Sequence, residues 1–321
     1  AHTDTMPVGD PAKWTVDPFG GEIKDGYIYG LGAGDNKFGI AGSYFVVKAL
    51  KECGIKLKNT VLLTAYSDEE YGGGNGALAS CLKYPCRTYV NLDGGNYDMW
   101  VSALGGGGFD IDVQSIKPTD TASPIVNALY MIKSEVEAMG GLRREEMHNN
   151  RLYTGSDMER SAFRLMQFSC GSFGSNLDSG KLVFVIYTDK PKEKIYKELD
   201  SIMQKVKPVL EKAGLTTEGF KPTTRFFNYV ETDMTDPAVD IMTKAAEETA
   251  GKPVKQCGAC LSDLSIFLTY GSKTSFNFGI IRDFSLKGGA HQPDEYVECK
   301  QFLEHTKALA LFLIRYCGVI K

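Results

Sequence analysis

Two histidines and five carboxylates, far apart in the chain, are the residues best suited to joint chemistry. They are His2 and Asp4 in a His-x-Asp, Asp35, the Glu69-Glu70 pair, Asp93 and His291. Imidazole and carboxylate are donors that zinc, manganese and cobalt accept, and two carboxylates can bridge or flank a pair of such ions. On an extended chain, positions i and i+2 face the same side, so Asp4 is placed to orient the His2 ring from behind. Consecutive glutamates point in different directions, which suits one to bind a cation and the other to handle protons. Each piece alone is commonplace: an accidental H-x-D, a solvated acidic pair, a surface histidine in a glycine-rich loop. The conjunction carries weight, because the chain has only four histidines and its acids follow apolar runs.

Those runs are the elements that must position the acids. Residues 60–66 (TVLLTAY) read as a buried strand delivering Glu69 and Glu70, residues 89–92 (YVNL) as a second delivering Asp93, and residues 275–281 (SFNFGII) as a third leading to His291. Helical patterns at 39–53, 237–250 and 299–316 alternate with them. This is the order of an α/β fold, a mixed sheet with helices on both faces. Such sheets carry ligands beyond the carboxyl ends of their strands, where these acids fall. His2 opens the sequence with no strand ahead of it, so an upstream segment is expected to be missing or removed.

The middle of the chain has a different texture. After the glycine run 105–108, read as a hinge, residues 109–113 alternate like a half-exposed strand. A helix at 123–139, a strand at 181–188, a helix at 191–213 and a strand at 223–230 follow. Alternating rather than continuous apolar strands imply a separate α+β domain at 105–231, inserted into a discontinuous domain of 1–104 and 232–321.

Composition removes several classes. Lys plus Arg is 36 against 40 Asp plus Glu, net −4, so no basic footprint for nucleic acid exists. The most apolar stretch, 308–314, is far short of the roughly 20 residues needed to span a bilayer. Eight cysteines in 321 residues is not disulfide-scaffold density. Cys257 and Cys260 form one C-x-x-C without a partner pair, which fits reduced thiols of a cytoplasmic protein better than a redox or structural-zinc role. The Gly30-x-Gly32-x-Gly34 run lacks the glycine that a dinucleotide loop needs at the next turn; Asp35 stands there and would repel a pyrophosphate.

Six stretches together resemble the dinuclear zinc hydrolase superfamily of acetylornithine deacetylase, succinyl-diaminopimelate desuccinylase, carboxypeptidase G and peptidase T. They are residues 2–7 (HTDTMP), 14–19 (WTVDPF), 30–37 (GLGAGDNK), 67–72 (SDEEYG), 90–95 (VNLDGG) and 290–296 (AHQPDEY). Asp93 within Leu-Asp-Gly-Gly is most similar to the peptidase T branch. The resemblance implies two Zn2+ per chain, with Co2+ or Mn2+ as alternatives. Asp35 would bridge both ions, His2 and Asp93 complete one site, Glu70 and His291 the other, with Asp4 orienting His2 and Glu69 acting as general base. It also implies that a small peptide or N-acyl amino acid is cut at an amide bond, and that the inserted domain serves as lid and homodimer contact.

The lid departs from the family pattern. Lys117 stands where the resemblance calls for a histidine, and Tyr187 where it calls for an arginine, whereas Asn176 matches the family's asparagine. Lys117 or Arg282 could instead bind a substrate carboxylate. These departures keep open a second reading, a non-catalytic ligand-binding relative, and Cys257 with Cys260 a third, a redox protein. Glu295 is expected to be structural or orienting. Asp263 is either a site-lining residue or a helix cap.

Overall fold

The computed structural model describes residues 1–171 and 177–320. In chain order it begins with β1 (Ile23–Lys24), β2 (Tyr27–Tyr29), α1 (Phe38–Glu52), α2 (Asn75–Lys83), β3 (Val90–Asn91) and β4 (Met99–Ala103). The middle holds β5 (Gly105–Ser115), α3 (Ser123–His148), α4 (Asp157–Arg160), β6 (Phe163–Cys170), β7 (Ser179–Thr188), α5 (Lys192–Lys212), β8 (Leu215–Thr216) and β9 (Lys221–Pro222). The chain returns through β10 (Val230–Glu231), α6 (Ala238–Ala250), β11 (Gln256–Ala259), α7 (Leu264–Ile266), β12 (Phe276–Phe278), β13 (Tyr296–Glu298) and α8 (Cys299–Cys317). Two compact units result, Ala1–Ala103 with Glu231–Lys321, and Leu104–Val230.

The first unit is α/β around a mixed sheet. β12 lies between β4, antiparallel, and β3, parallel, and β11 pairs parallel with β4. Its strands are short because glycines cross there at close range. A Cβ on Gly94 would come within 2.7 Å of the Gly279 nitrogen, so only glycine lets β3 and β12 approach this closely just before the site. Helices α1 and α6 both pack on α8.

Residues 60–65 differ from expectation. They form no strand among the described residues, and only Tyr66 pairs, in a parallel bridge to His2. A strand needs a neighbour for its amides, and among the described residues only Ala1 comes beside this stretch, its nitrogen 3.4 Å from the Thr64 carbonyl.

The second unit is an antiparallel sheet, β6-β7-β5-β8, with β9 also on β5. β7 alternates half-buried and buried residues along its whole length, the period-2 pattern of a sheet with one covered face. Phe109, Ile111, Leu129, Ile132, Leu182, Phe184 and Leu199 form its core beneath α3 and α5. Each such side chain contributes about 1.5–3 kcal/mol on burial. The glycines 105–108, expected as a hinge, lie inside β5. A Cβ on Gly106 would sit 1.9 Å from the Ile186 carbonyl, so bare backbone is what lets β5 pass β7 here. Residues 223–230 are not the continuous strand that was expected; β9 and β10 flank an irregular stretch.

Candidate metal centre

The site gathers at strand ends and loops of the first unit. His2 is fully buried, and its Nδ1 lies 3.0 Å from the Asp4 main-chain carbonyl. A carbonyl only accepts, so Nδ1 donates there and Nε2 is left to face the site. Nε2 lies 3.1 Å from Asp35 Oδ1. The other Asp35 oxygen, Oδ2, lies 3.4 Å from Nε2 of His291, and the same His291 nitrogen is 2.8 Å from Glu70 Oε2. One carboxylate thus spans two imidazoles, an oxygen to each. Donor atoms of His2, Glu69 and Asp93 lie within 4.8 Å of one another, as do those of His2, Asp35 and Glu70.

Backbone and outer side chains hold these donors. The Glu295 carboxylate accepts from the amides of Gly32, Gly34 and Asp35, each at 2.8 Å, and so clamps the loop that presents Asp35. Gly32 has φ 72°, a left-handed turn, and a Cβ there would meet the Thr5 methyl at 2.4 Å. The glycine-rich run is therefore a metal-loop support, not a phosphate cradle. Asn36, which its spacing did not single out, donates to the Leu92 carbonyl at 2.9 Å and ties the Asp35 loop to the end of β3. Asp4 contacts more than His2. Its Oδ2 accepts from the Glu69 and Glu70 amides at 3.0 and 3.2 Å, while Oδ1 is 3.7 Å from His2 Nδ1. The main-chain oxygen orients the ring, and the side chain holds the glutamate turn.

Electrostatics follow from this crowding. Burial, reinforced by Asp35, pushes the Asp93 carboxyl up to about 6. Burial, then the charges of Asp93 and Asp263, holds Glu69 well above the usual carboxylate range. Asp263 is buried too, and burial followed by Asp93 raises it to about 7. Burial opposes charge on the two imidazoles. Asp35, Asp93 and the Asp4 carbonyl together outweigh it at His2, raised to about 9, and Asp35 with Glu70 outweighs it at His291, raised to about 10. Acids that resist ionising together, and two imidazole nitrogens converging on the same carboxylates, both suit cations in their midst. The donor set fits divalent metal ions.

The remaining candidates lie elsewhere. Arg282, in the loop before His291, has its guanidinium 5.2 Å from the centre of the Tyr296 ring and its Nε 3.3 Å from the Lys287 carbonyl. Lys117 is exposed after β5 in the second unit. Asn176 lies outside the described residues. Tyr187 on β7 has the Arg164 guanidinium over its ring at 5.2 Å. Cys257 and Cys260 are free thiols, and burial pushes Cys257 up to about 11, away from reactive thiolate. The Phe284 ring, 4.9 Å from that of His291, had no signal in the sequence.

A 75-residue stretch is 47% identical to the succinyl-diaminopimelate desuccinylase of Rhodospirillum centenum, covering 23% of this chain and 19% of that protein. The matched stretch thus spans about a fifth of that relative's length. In fold, the chain is similar to an M20 family metallo-carboxypeptidase from Sulfolobus solfataricus, with TM-score 0.71 and 17% identity over 97% of this chain and 83% of that one. It is also similar to a tripeptidase from Staphylococcus aureus, with TM-score 0.67 and 18% identity over 91% and 74%. The model of peptidase family M20/M25/M40 matches residues 1–315, which take in every histidine and carboxylate of the cluster, and the chain belongs to that family.

Proposed function

We propose that this protein hydrolyses an amide bond in a small peptide or an N-acyl amino acid at a two-metal centre, with zinc the expected ion and cobalt or manganese as alternatives. The observation that carries the reading is Asp35, whose two oxygens face two different imidazoles. Asp35 would bridge, His2 and Asp93 would complete one site, and Glu70 and His291 the other. When bound, a pair of divalent cations polarises an amide carbonyl and acidifies water. Glu69, whose carboxylate lies within 4.8 Å of donor atoms of His2 and Asp93, would take the proton of the attacking water and return it to the leaving nitrogen. Asp4 holds the Glu69-Glu70 turn so that adjacent side chains keep separate tasks.

Lys117 would supply positive charge to the oxyanion in place of an imidazole, and Arg282 would take a substrate carboxylate. The second unit would serve as lid and as contact of a homodimer, for which its edge strand β6 exposes Met166. No helix among the described residues is long and apolar enough to cross a membrane, and a cytoplasmic location completes the reading.

The test is a panel of dipeptides, tripeptides and N-acyl amino acids with the metal-loaded protein. Turnover of at least one class is expected, and Glu69→Gln should lower it by about 10²–10⁴-fold while metal content is unchanged. Ligand binding without turnover, indifferent to Glu69→Gln, would establish the non-catalytic alternative instead.

A further inference from the structure

The residues of the centre are not equally sheltered. The side chains of His2, Asp35 and Glu70 are 0%, 7% and 3% exposed, whereas that of His291 is 34% exposed. Within the first unit, a ligand therefore reaches the donors past His291. The Phe284 ring stands on that side, edge-on to the His291 ring with 4.9 Å between centres, and Phe284 is itself 45% exposed. Leu286, two residues on, is 44% exposed. Single exposed apolar residues are ordinary. Phe284 differs because it lies against the most open member of a buried polar cluster, and because its turn fixes it there.

That turn is fastened at several points. The Leu286 amide donates to the Asp283 carbonyl at 3.1 Å, the Gly289 amide to the Leu286 carbonyl at 2.9 Å, and the Ala290 amide to the Arg282 carbonyl at 3.2 Å. Gln292 Nε2 donates to the Phe284 carbonyl at 3.0 Å and ties the aromatic residue to the segment that carries His291. A Cβ on Gly289 would sit 2.0 Å from the Asp283 carbonyl oxygen, so only glycine lets the turn close this tightly. Asp283, the charge next to the ring in sequence, is bound within the turn: its Oδ1 accepts from the Ser285 amide at 2.8 Å. A residue fixed before a ligand arrives has little freedom left to lose on contact.

We propose that Phe284 is a specificity-determining residue, the apolar wall against which a substrate packs the side chain next to its scissile amide. The preferred substrates then carry a branched aliphatic or aromatic side chain there. This names the substrate class of the hydrolase reading and rests on that reading for the amide. An acidic or basic side chain in the same place would be desolvated against carbon, and glycine would leave the ring uncovered.

Binding and cleavage test it separately. Zinc-loaded Glu69→Gln protein is titrated calorimetrically with three series, the N-acetyl amino acids and the dipeptides Gly-X and X-Gly, where X is leucine, phenylalanine, glycine, aspartate or lysine. In at least one series, leucine or phenylalanine should bind at least about tenfold more tightly than the other three. Adding Phe284→Ala should erase that preference and Phe284→Arg should turn it toward aspartate, with zinc stoichiometry unchanged, whereas Phe284→Leu should keep it. Equal affinities throughout, a charged favourite, or a preference that survives Phe284→Ala would overturn the proposal. So would loss of zinc from both Phe284→Ala and Phe284→Arg, which would make the ring a support of His291 only. Cleavage of the same compounds by the native protein keeps the two readings apart. Cleavage without apolar preference sinks the wall alone; apolar binding without any cleavage sinks the hydrolase and leaves the wall.

Discussion

The two units solve opposite problems with the same backbone hydrogen bonds. In the second, strands of eight to eleven residues pair in long registers over an aliphatic and aromatic core, and the sequence alternates as the geometry requires. In the first, the sheet strands are two to five residues long, and what they deliver is charge that the interior does not welcome. Asp35, Asp93 and Asp263 are all buried there, and His291 has the left-handed φ of 61° that a non-glycine residue seldom adopts. Long ladders give stability cheaply; short strands end where side chains must be aimed. The candidate site sits in the unit with the shorter sheet strands, as expected where a site is built at the ends of a scaffold's strands.

The contrast can be broken at several points. Phe184→Ala empties the centre of the second unit's core, where the ring stacks on Phe109 and Phe163, and should cost about 3–5 kcal/mol in chemical unfolding. Metal content of the folded fraction should not change; if it fell in parallel, the centre would not be confined to the first unit.

A pH effect of about 3 kcal/mol is expected from His305. Its ring is fully buried, with Nε2 donating to the Phe278 carbonyl at 3.1 Å, and burial lowers it to about 4 from an ordinary 6.5. The folded state therefore refuses a proton that the unfolded chain accepts. That stability is complete above pH 6.5 and is lost as pH falls toward 4. Urea titrations across this window should show the loss in the native protein and a flatter profile in His305→Gln, which keeps a donor without a titrating ring. Equal profiles would remove His305 as the cause.

Glu295→Gln gives the smallest effect, and it sharpens the comparison most. One carboxylate holds three amides around Asp35 without being a donor to the centre. Losses in metal affinity of about 10–100-fold are typical of such supporting groups. Isothermal titration with zinc reads it, and unchanged affinity would show that the Asp35 loop holds itself.

Much of this was legible because acids and imidazoles are rare enough after apolar runs to be noticed. Asp35, Glu70, Asp93, His2 and His291 lie together, and α1, α6 and α8 fall within a few residues of their apolar periodicity. The failures have physical causes. β6 was missed because residues 164–167 are exposed and the register slips between Leu165 and Gln167, which erases alternation. The α3 helix runs on to His148 through Gly140, where a Cβ would strike the Phe163 ring carbon bonded to Cβ at 2.8 Å; tertiary contact chose glycine there, against helix propensity. Glycines 105–108 looked like a break and are a strand for a similar reason. Glu295 takes the structural place expected of it, holding three amides, whereas Asn36 acts through a backbone carbonyl and leaves no trace in residue spacing.

Anomalous diffraction from zinc-loaded crystals of the protein bears most directly on the centre. Two peaks roughly 3.5–4 Å apart are expected, Asp35 between them, His2 and Asp93 on one and Glu70 and His291 on the other. A single peak, or two that leave Asp35 bound to only one, would contradict the two-metal hydrolase.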